Sequence, residues 1–454
     1  MILNKSSSAI AGYLRIVFIS LSSIFVSSNY TVAQIIPDNT LGNERSQVQS
    51  NFQIRGINSD IINGGSRQGS NLFHSFSTFN IEGGRGAYFL TPTGINNILT
   101  RVTGGNVSNI FGTLGVLGNA NLYLINPNGI YFGNGAKLDI RGSFTATTAD
   151  GIRLGETGSF SAVNPGGDNL LTVQPGALFT NTIRNSPREI IVDRGELIST
   201  NDIAIDTDRL KVVNGGFIVI FQNDTFAIKA GAANLNIKAK SINIDGANGG
   251  ILTGLLNLTD NGKNGGNLTI ETNSLNVTNG ARIENITSGA GMGGNLTLDT
   301  IALRITNGAQ ISTNTFGVGN AGNLTLKAQN ITLDGFASGL FARVTPEAKG
   351  AGGNLMLDTN SLRITNGAQI SASTFGVGNA GNLTLKAQNI TLDGSNLIEG
   401  FSSGLFTQVN PEATGAGGNL SLDTNSLRLT NGAQISTNTF GVGNAGNLTL
   451  KAQN

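Results

Sequence analysis

The sequence has no cysteine and a single histidine. Without thiols, neither a disulfide framework nor a thiolate metal site can form. One imidazole cannot build a histidine metal cluster, and any Ser-His-Asp triad would depend on that one residue. Charge is also scarce: Asp, Glu, Lys and Arg make up 12% of the chain, against about 25% in ordinary domains. The formal net charge of +1 gives no electrostatic reason to expect nucleic acid as a partner. No metal ion and no cofactor is expected. Beyond the extreme amino terminus, no uninterrupted apolar run reaches the roughly 18 to 20 residues that a membrane-spanning helix needs.

What is present points to strands. Glycine accounts for 64 of 454 residues, about twice its usual share. The apolar residues are set among Asn, Thr, Ser and Gly, which favour strands and turns. An all-β chain follows.

The amino terminus carries Lys5 and Arg15, then the apolar stretch Ile16-Val-Phe-Ile-Ser-Leu-Ser-Ser-Ile-Phe-Val26, then Thr31-Val32-Ala33. This is the layout of a secretory signal peptide spanning residues 1–33, cleaved between Ala33 and Gln34.

The carboxy-terminal half repeats. A unit opening Gly-Asn-Leu-x-Leu/Ile starts at Gly266, Gly294, Gly322, Gly353, Gly381, Gly418 and Gly446, at spacings of 28, 28, 31, 28, 37 and 28. Units alternate in kind: 353–371 matches 418–436, whereas 322–335 matches 381–394. Two units therefore make one higher-order repeat. Within a unit, 354–358, 361–365 and 368–371 alternate apolar with polar residues between Asn-Gly or Thr-Asn turns, which is strand patterning. Three strands of about five residues cannot bury a core alone, but stacked coils can, with Leu355 and Leu357 among the inward residues. A right-handed parallel β-helix is expected. The 37-residue spacing contains six extra residues, Ser395-Asn-Leu-Ile-Glu-Gly400, which belong in an outward loop. The sequence ends partway through a unit, so more passenger is expected beyond residue 454.

Residues 34–180 are less repetitive and contain three distinctive segments. They are Asn71-Leu-Phe-His-Ser-Phe-Ser-Thr-Phe-Asn-Ile81, the stretch from Ile95 to Leu114, and Ala120-Asn-Leu-Tyr-Leu-Ile-Asn-Pro-Asn-Gly-Ile-Tyr-Phe-Gly133. In the last, Leu122, Leu124 and Asn126 share one face of a strand, and Asn126-Pro127-Asn128-Gly129 has the residues a type I turn favours.

These segments resemble the secretion domain of filamentous haemagglutinin-like exoproteins of two-partner secretion systems, above all in Asn126-Pro127-Asn128-Gly129-Ile130. The Asn-Pro-Asn-Leu tetrapeptide of some members is absent, which leaves the subgroup open. The resemblance implies a signal peptide (1–33), a secretion domain (34–180) that caps the β-helix, a β-helical transition (181–260) and a repeat β-helix (261–454). It further implies export through an outer-membrane β-barrel transporter whose periplasmic domains recognise the secretion domain, with Asn126 to Ile130 as candidate recognition residues. The passenger then serves as an adhesin-like stalk at the surface of a Gram-negative-type bacterium, with surface glycans and host or neighbouring cells as expected partners.

Other candidates have simpler explanations. His74 alternates with Leu72, Phe76 and Thr78, as a partly buried strand histidine does. Gly317-Val-Gly-Asn-Ala-Gly322 fits a dinucleotide fingerprint, as do 376–381 and 441–446, but strands follow where that motif needs a helix. Asn267-Leu-Thr269, Asn295-Leu-Thr297 and later copies fit a glycosylation acceptor, and are read as repeat positions where asparagines stack in a ladder. Asp202, Asp206 and Asp208 alternate with Ile203, Ile205 and Thr207 on one strand face. That explains them without catalysis, and no catalytic residue is assigned. Two other classes remain open: a carbohydrate-active β-helix enzyme, supported by a carboxylate-lined groove, and the stalk of a contact-dependent toxin, supported by a globular domain downstream.

Overall fold

A computed structural model describes residues 35–170, 172–181, 186–222, 232–246, 252–260, 262–394 and 402–453. The signal segment, its Ala33–Gln34 junction and the insertion 395–400 lie outside the described residues. Among the described residues no helix is long and apolar enough to cross a membrane. The fold is a right-handed parallel β-helix, and its contacts divide the described chain into an amino-terminal unit, 35–218 with 236–241, and a carboxy-terminal unit.

In the carboxy-terminal unit each coil contributes an eleven-residue strand and a six-residue strand, as in Leu355–Thr365 and Gln369–Thr374. The first two strands expected from sequence thus run on as one. The chain turns a corner inside it, where Leu355, Leu357 and Thr359 point inward and then Leu362 and Ile364 do so out of step. The register skips Asn360 at that corner. Each coil still presents three faces. Leu268, Leu296, Leu324, Leu355, Leu383 and Leu420 pair in succession along one column. Ile283, Ile311, Leu340, Ile370 and Leu405 form another. All eleven are fully buried, and each such side chain contributes about 2 kcal/mol to stability.

The opening Gly-Asn of each unit has two separate causes. A Cβ on Gly294, Gly322, Gly353, Gly381 or Gly418 would fall on the carbonyl oxygen of the equivalent glycine one coil earlier, so only glycine permits the coils to stack there. The asparagine that follows uses its side chain as a rung: the Asn295 N–H donates to Asn267 Oδ1 at 2.9 Å, Asn323 to Asn295 at 3.0 Å, and Asn354 to Asn323 at 2.9 Å. The series continues through Asn382, Asn419 and Asn447. The ladder expected from sequence is present, and it occupies the asparagines of the Asn-Leu-Thr triplets.

The alternation of unit types also acquires a physical reason. Down one outward column Asp299 pairs with Lys327, then Asp358, Lys386, Asp423 and Lys451 in turn. Like charges directly opposite one another across neighbouring strands are destabilising, and alternating two unit types places Lys327 and Lys386 each between two acids, while Glu271 faces Asp299 where the column starts. The insertion leaves this register intact: Leu383–Asp393 still pairs residue for residue with Leu420–Thr430, and Gln369–Thr374 with Gly404–Val409.

In the amino-terminal unit antiparallel strands precede the coils. Ser46–Ile54 pairs with Ile57–Gly64, while Ile35–Pro37 and Ser66–Gln68 both pair with Asn71–Phe79. Coiling then proceeds through Asn97–Val102, Asn121–Ile125, Phe144–Thr147 and Ile203–Val213 in parallel. Between Phe144–Thr147 and Glu189–Asp193 the chain leaves the coil and makes a three-stranded antiparallel sheet of Gly151–Leu154, Gly158–Ser161 and Pro175–Phe179. This sheet covers one coil face, packing Ile152, Leu154, Phe160 and Ala162 on Phe73, Leu99 and Ile125.

Candidate functional site

The Asn126 to Ile130 segment forms the expected turn. The Gly129 N–H donates to the Asn126 carbonyl at 3.0 Å, and Gly129 has φ +119°, a conformation side chains resist. Asn126 is completely buried and committed on both ends. Its Nδ2 donates to Ser108 Oγ at 2.9 Å and to the Asn106 carbonyl at 3.0 Å, while Oδ1 accepts from the Asn128 N–H at 2.9 Å. Asn128 reaches back to the Gly104 carbonyl at 2.5 Å. The turn thereby fastens each end of its loop to the preceding coil. Pro127, Gly129 and Ile130 are buried, and Asn128 is half-exposed.

Directly beside the turn is a groove of about 550 Å³, lined by Val107, Asn128, Ile130, Tyr131, Glu189 and Arg209 among others. Its floor is built by three parallel strands, Ser108–Ile110, Ile130–Phe132 and Glu189–Asp193. Val107 is 39% exposed at its edge. Glu189 is held by Arg209 at 2.5 Å and by Lys211 at 3.2 Å. The Tyr131 hydroxyl donates to Asp193 at 2.9 Å. Partial burial raises the Tyr131 pKa, and that hydrogen bond raises it further. Burial opposes ionisation of Asp193, but Asn214, Tyr131 and Arg194 together hold its pKa below the ordinary carboxylate value. The groove therefore presents an aromatic and an aliphatic side chain beside a fixed ion pair, with a neutral phenol.

The remaining candidates are brought to no common site. His74 lies on the expected face but is fully rather than partly buried, because the coil interior closes around it. Its ring centroid is 5.2 Å from that of Phe89 and 6.2 Å from that of Phe76, and its Nδ1 lies 3.0 Å from Ser46 Oγ. Burial lowers its pKa to about 3. Asp202, Asp206 and Asp208 line one side of Ile203–Val213 as expected, and each is engaged. Asp202 accepts from Ser143 at 3.4 Å, Asp206 from Thr147 at 3.5 Å, and Asp208 from the Arg188 N–H at 3.1 Å while pairing with Lys240 at 2.7 Å. Burial raises the pKa of Asp206; Asp208 is also partly buried, but the bonds from Lys240 and Arg188 lower its pKa. Gly317–Gly322 is followed by the strand Leu324–Asp334, so the dinucleotide fingerprint has no helix here.

A buried polar network escaped the sequence reading. Arg101 is fully buried, paired with Asp168, and donates to Ser75 Oγ at 2.9 Å, to Thr40 Oγ1 at 2.9 Å and to the Ser161 carbonyl at 2.7 Å. Its guanidinium lies 4.3 Å from the centre of the Phe160 ring. Burial pulls the Arg101 pKa down and pushes that of Asp168 up, each partly offset by the other's charge. Asp150 and Arg188 form a second buried pair at 2.8 Å. Together these fasten the three-stranded sheet to the coils. The available signal was an arginine inside the otherwise uncharged strand Asn97–Val102, since arginine is almost never buried unless paired.

The described residues of the amino-terminal unit combine stacked parallel coils with antiparallel strands and an added three-stranded sheet. A family model described as the TPS secretion domain matches residues 33–313. The chain belongs to this family, the two-partner secretion exoproteins of filamentous haemagglutinin type. Among solved structures, the HMW1 secretion domain from Haemophilus influenzae is similar, with a TM-score of 0.53 at 16% identity, covering 92% of this chain and 100% of that one. No curated protein matches the sequence. Family membership makes this a secreted protein exported across the outer membrane with a partner transporter.

Proposed function

We propose that the groove beside Asn126–Ile130 is the surface read by the transporter's periplasmic domains, and that the coils beyond it form an adhesin-like stalk without enzymatic activity. One observation carries the first part: the turn spends its own polar groups internally and yet forms one wall of a half-open groove. In this reading Asn126, Pro127, Gly129 and Ile130 are positioning residues, and Asn128, with Val107, Tyr131 and Arg209, meets the partner. The signal peptide at 1–33, cleaved after Ala33, delivers the chain to the periplasm. The stalk reading is supported by the regular stacking of the repeat coils and by the engagement of each candidate carboxylate in local pairing.

The test is secretion of the full chain from cells with and without the partner transporter, comparing the natural sequence with V107D/R209E and N126A. Natural protein should appear outside only with the transporter. V107D/R209E should stay in the periplasm with unchanged circular dichroism, whereas N126A should lose both export and fold. Normal export of folded V107D/R209E would reject the groove as the recognition surface.

A further inference from the structure

The second face of the repeat coils carries a spaced row of cations. Arg304 pairs with Thr332, Thr332 with Arg363, Arg363 with Thr391, and Thr391 with Arg428. The three arginines are exposed and the two threonines half-exposed. Among the described residues none of the three arginines has an ion-pair or side-chain hydrogen-bond partner. The nearest acids on that face, Asp334 and Asp393, are two residues further along in the intervening coils and are turned to other donors. Asp334 accepts from Thr365 Oγ1 at 2.6 Å and Asn366 Nδ2 at 2.7 Å, and Asp393 accepts from Asn431 Nδ2 at 2.8 Å. The neighbouring face has no such row, because its lysines are interleaved with aspartates.

Successive arginines are two coils apart, which is about 10 Å at the usual strand separation. Guanidinium is the group best suited to planar, two-pronged recognition of a carboxylate or sulfate. A linear acidic polysaccharide with one such group per disaccharide repeats its charge every two sugar rings. One ring with its linking oxygen advances that chain by nearly one strand separation. Charges on such a ligand therefore meet each arginine in turn, while Thr332 and Thr391 offer hydroxyls to the sugar between.

We propose that this face binds a linear acidic polysaccharide lying along the coil axis, one anionic group to each of Arg304, Arg363 and Arg428. The proposal rests on the surface-stalk reading and names the class of ligand such a stalk would take.

The test uses the purified full-length mature chain on immobilised hyaluronan, with dextran as the neutral control. Retention on hyaluronan and not on dextran is expected, falling with added salt. R304Q/R363Q/R428Q should weaken it by about tenfold, the sum expected of three exposed ion pairs. T332R/R363T keeps the number of arginines and the net charge but breaks the two-coil spacing, and should weaken binding comparably. Equal retention on dextran, or full retention by either variant, would overturn the proposal. Its failure is separable from that of the stalk reading. Purified natural protein that ignores hyaluronan while displayed protein still mediates adhesion removes only the ligand. Purified protein that binds but is never displayed at the cell surface removes only the stalk.

Discussion

At mildly acid pH, above the carboxylate range, acidification should weaken the amino-terminal unit chiefly through one residue, His74. The imidazole is completely buried against Phe76 and Phe89, and Ser46 Oγ is its hydrogen-bond partner. Ser46 Oγ also accepts from the Ser75 N–H at 3.1 Å. Burial lowers the folded pKa from 6.5 to about 3. The unfolded chain therefore takes up the proton first, and stability is lost as the pH falls below 6.5, until the folded state protonates near 3. Linkage over that interval gives a loss of about 2 kcal/mol at pH 5 and about 3 kcal/mol at pH 4. From residue 35 onward the tyrosines are Tyr88, Tyr123 and Tyr131, all in the amino-terminal unit, so near-ultraviolet tyrosine dichroism of residues 35–454 in urea follows this unit. H74L should be less stable at pH 7 but lack the extra loss on acidification. The single histidine also gives one set of imidazole resonances by NMR. An imidazole titrating near pH 6 in the folded protein, or equal acid sensitivity in H74L, would refute the argument.

Three other outcomes are expected. Replacing Leu355 and Leu357 by Asp inserts unpaired carboxylates into the coil interior and should prevent stacking; if coil stacking outside the membrane biases threading, export measured by protease accessibility falls sharply, and undiminished export would sink that idea. Asp168→Asn leaves the buried Arg101 guanidinium without its counter-charge, which should cost about 3 kcal/mol in urea unfolding followed by tyrosine dichroism. Gly322→Ala places a methyl on the Gly294 carbonyl, a backbone clash costing about 3 kcal/mol or more, and should appear as increased hydrogen exchange in the strands Leu296–Thr306 and Leu324–Asp334.

The repeat half was largely legible because each coil states its inward residues anew. Leu355, Leu357, Leu362 and Ile364 read as inward from alternation alone, and the Gly-Asn openings and Thr-Asn-Gly turns marked where the chain bends. The corner at Asn360 was misread as a break between strands, since local patterning cannot distinguish a change of phase from an end. The turn at Asn126–Gly129 was legible for the same local reason. The groove beside it was not, because Val107, Tyr131, Glu189 and Arg209 meet only after separate coils have stacked. Arg101 and Asp168 show the same limit: the pair is made by a sheet inserted into the coil path, and neither residue carries a local sign of the other. His74 was read onto the correct face, but its complete enclosure depends on Phe89 and Ser46, which come from other strands.

The alternating Asp and Lys column sets a parity preference for changes in the number of coils. Removing or duplicating two adjacent coils regenerates every interface, with each lysine again between aspartates. Removing one coil, for example the one bearing Lys386, would bring Asp358 directly against Asp423 and leave a defect at the joint. Changes in even steps therefore preserve the charge alternation, whereas odd steps add a like-charge contact of the kind that Glu271 and Asp299 already make.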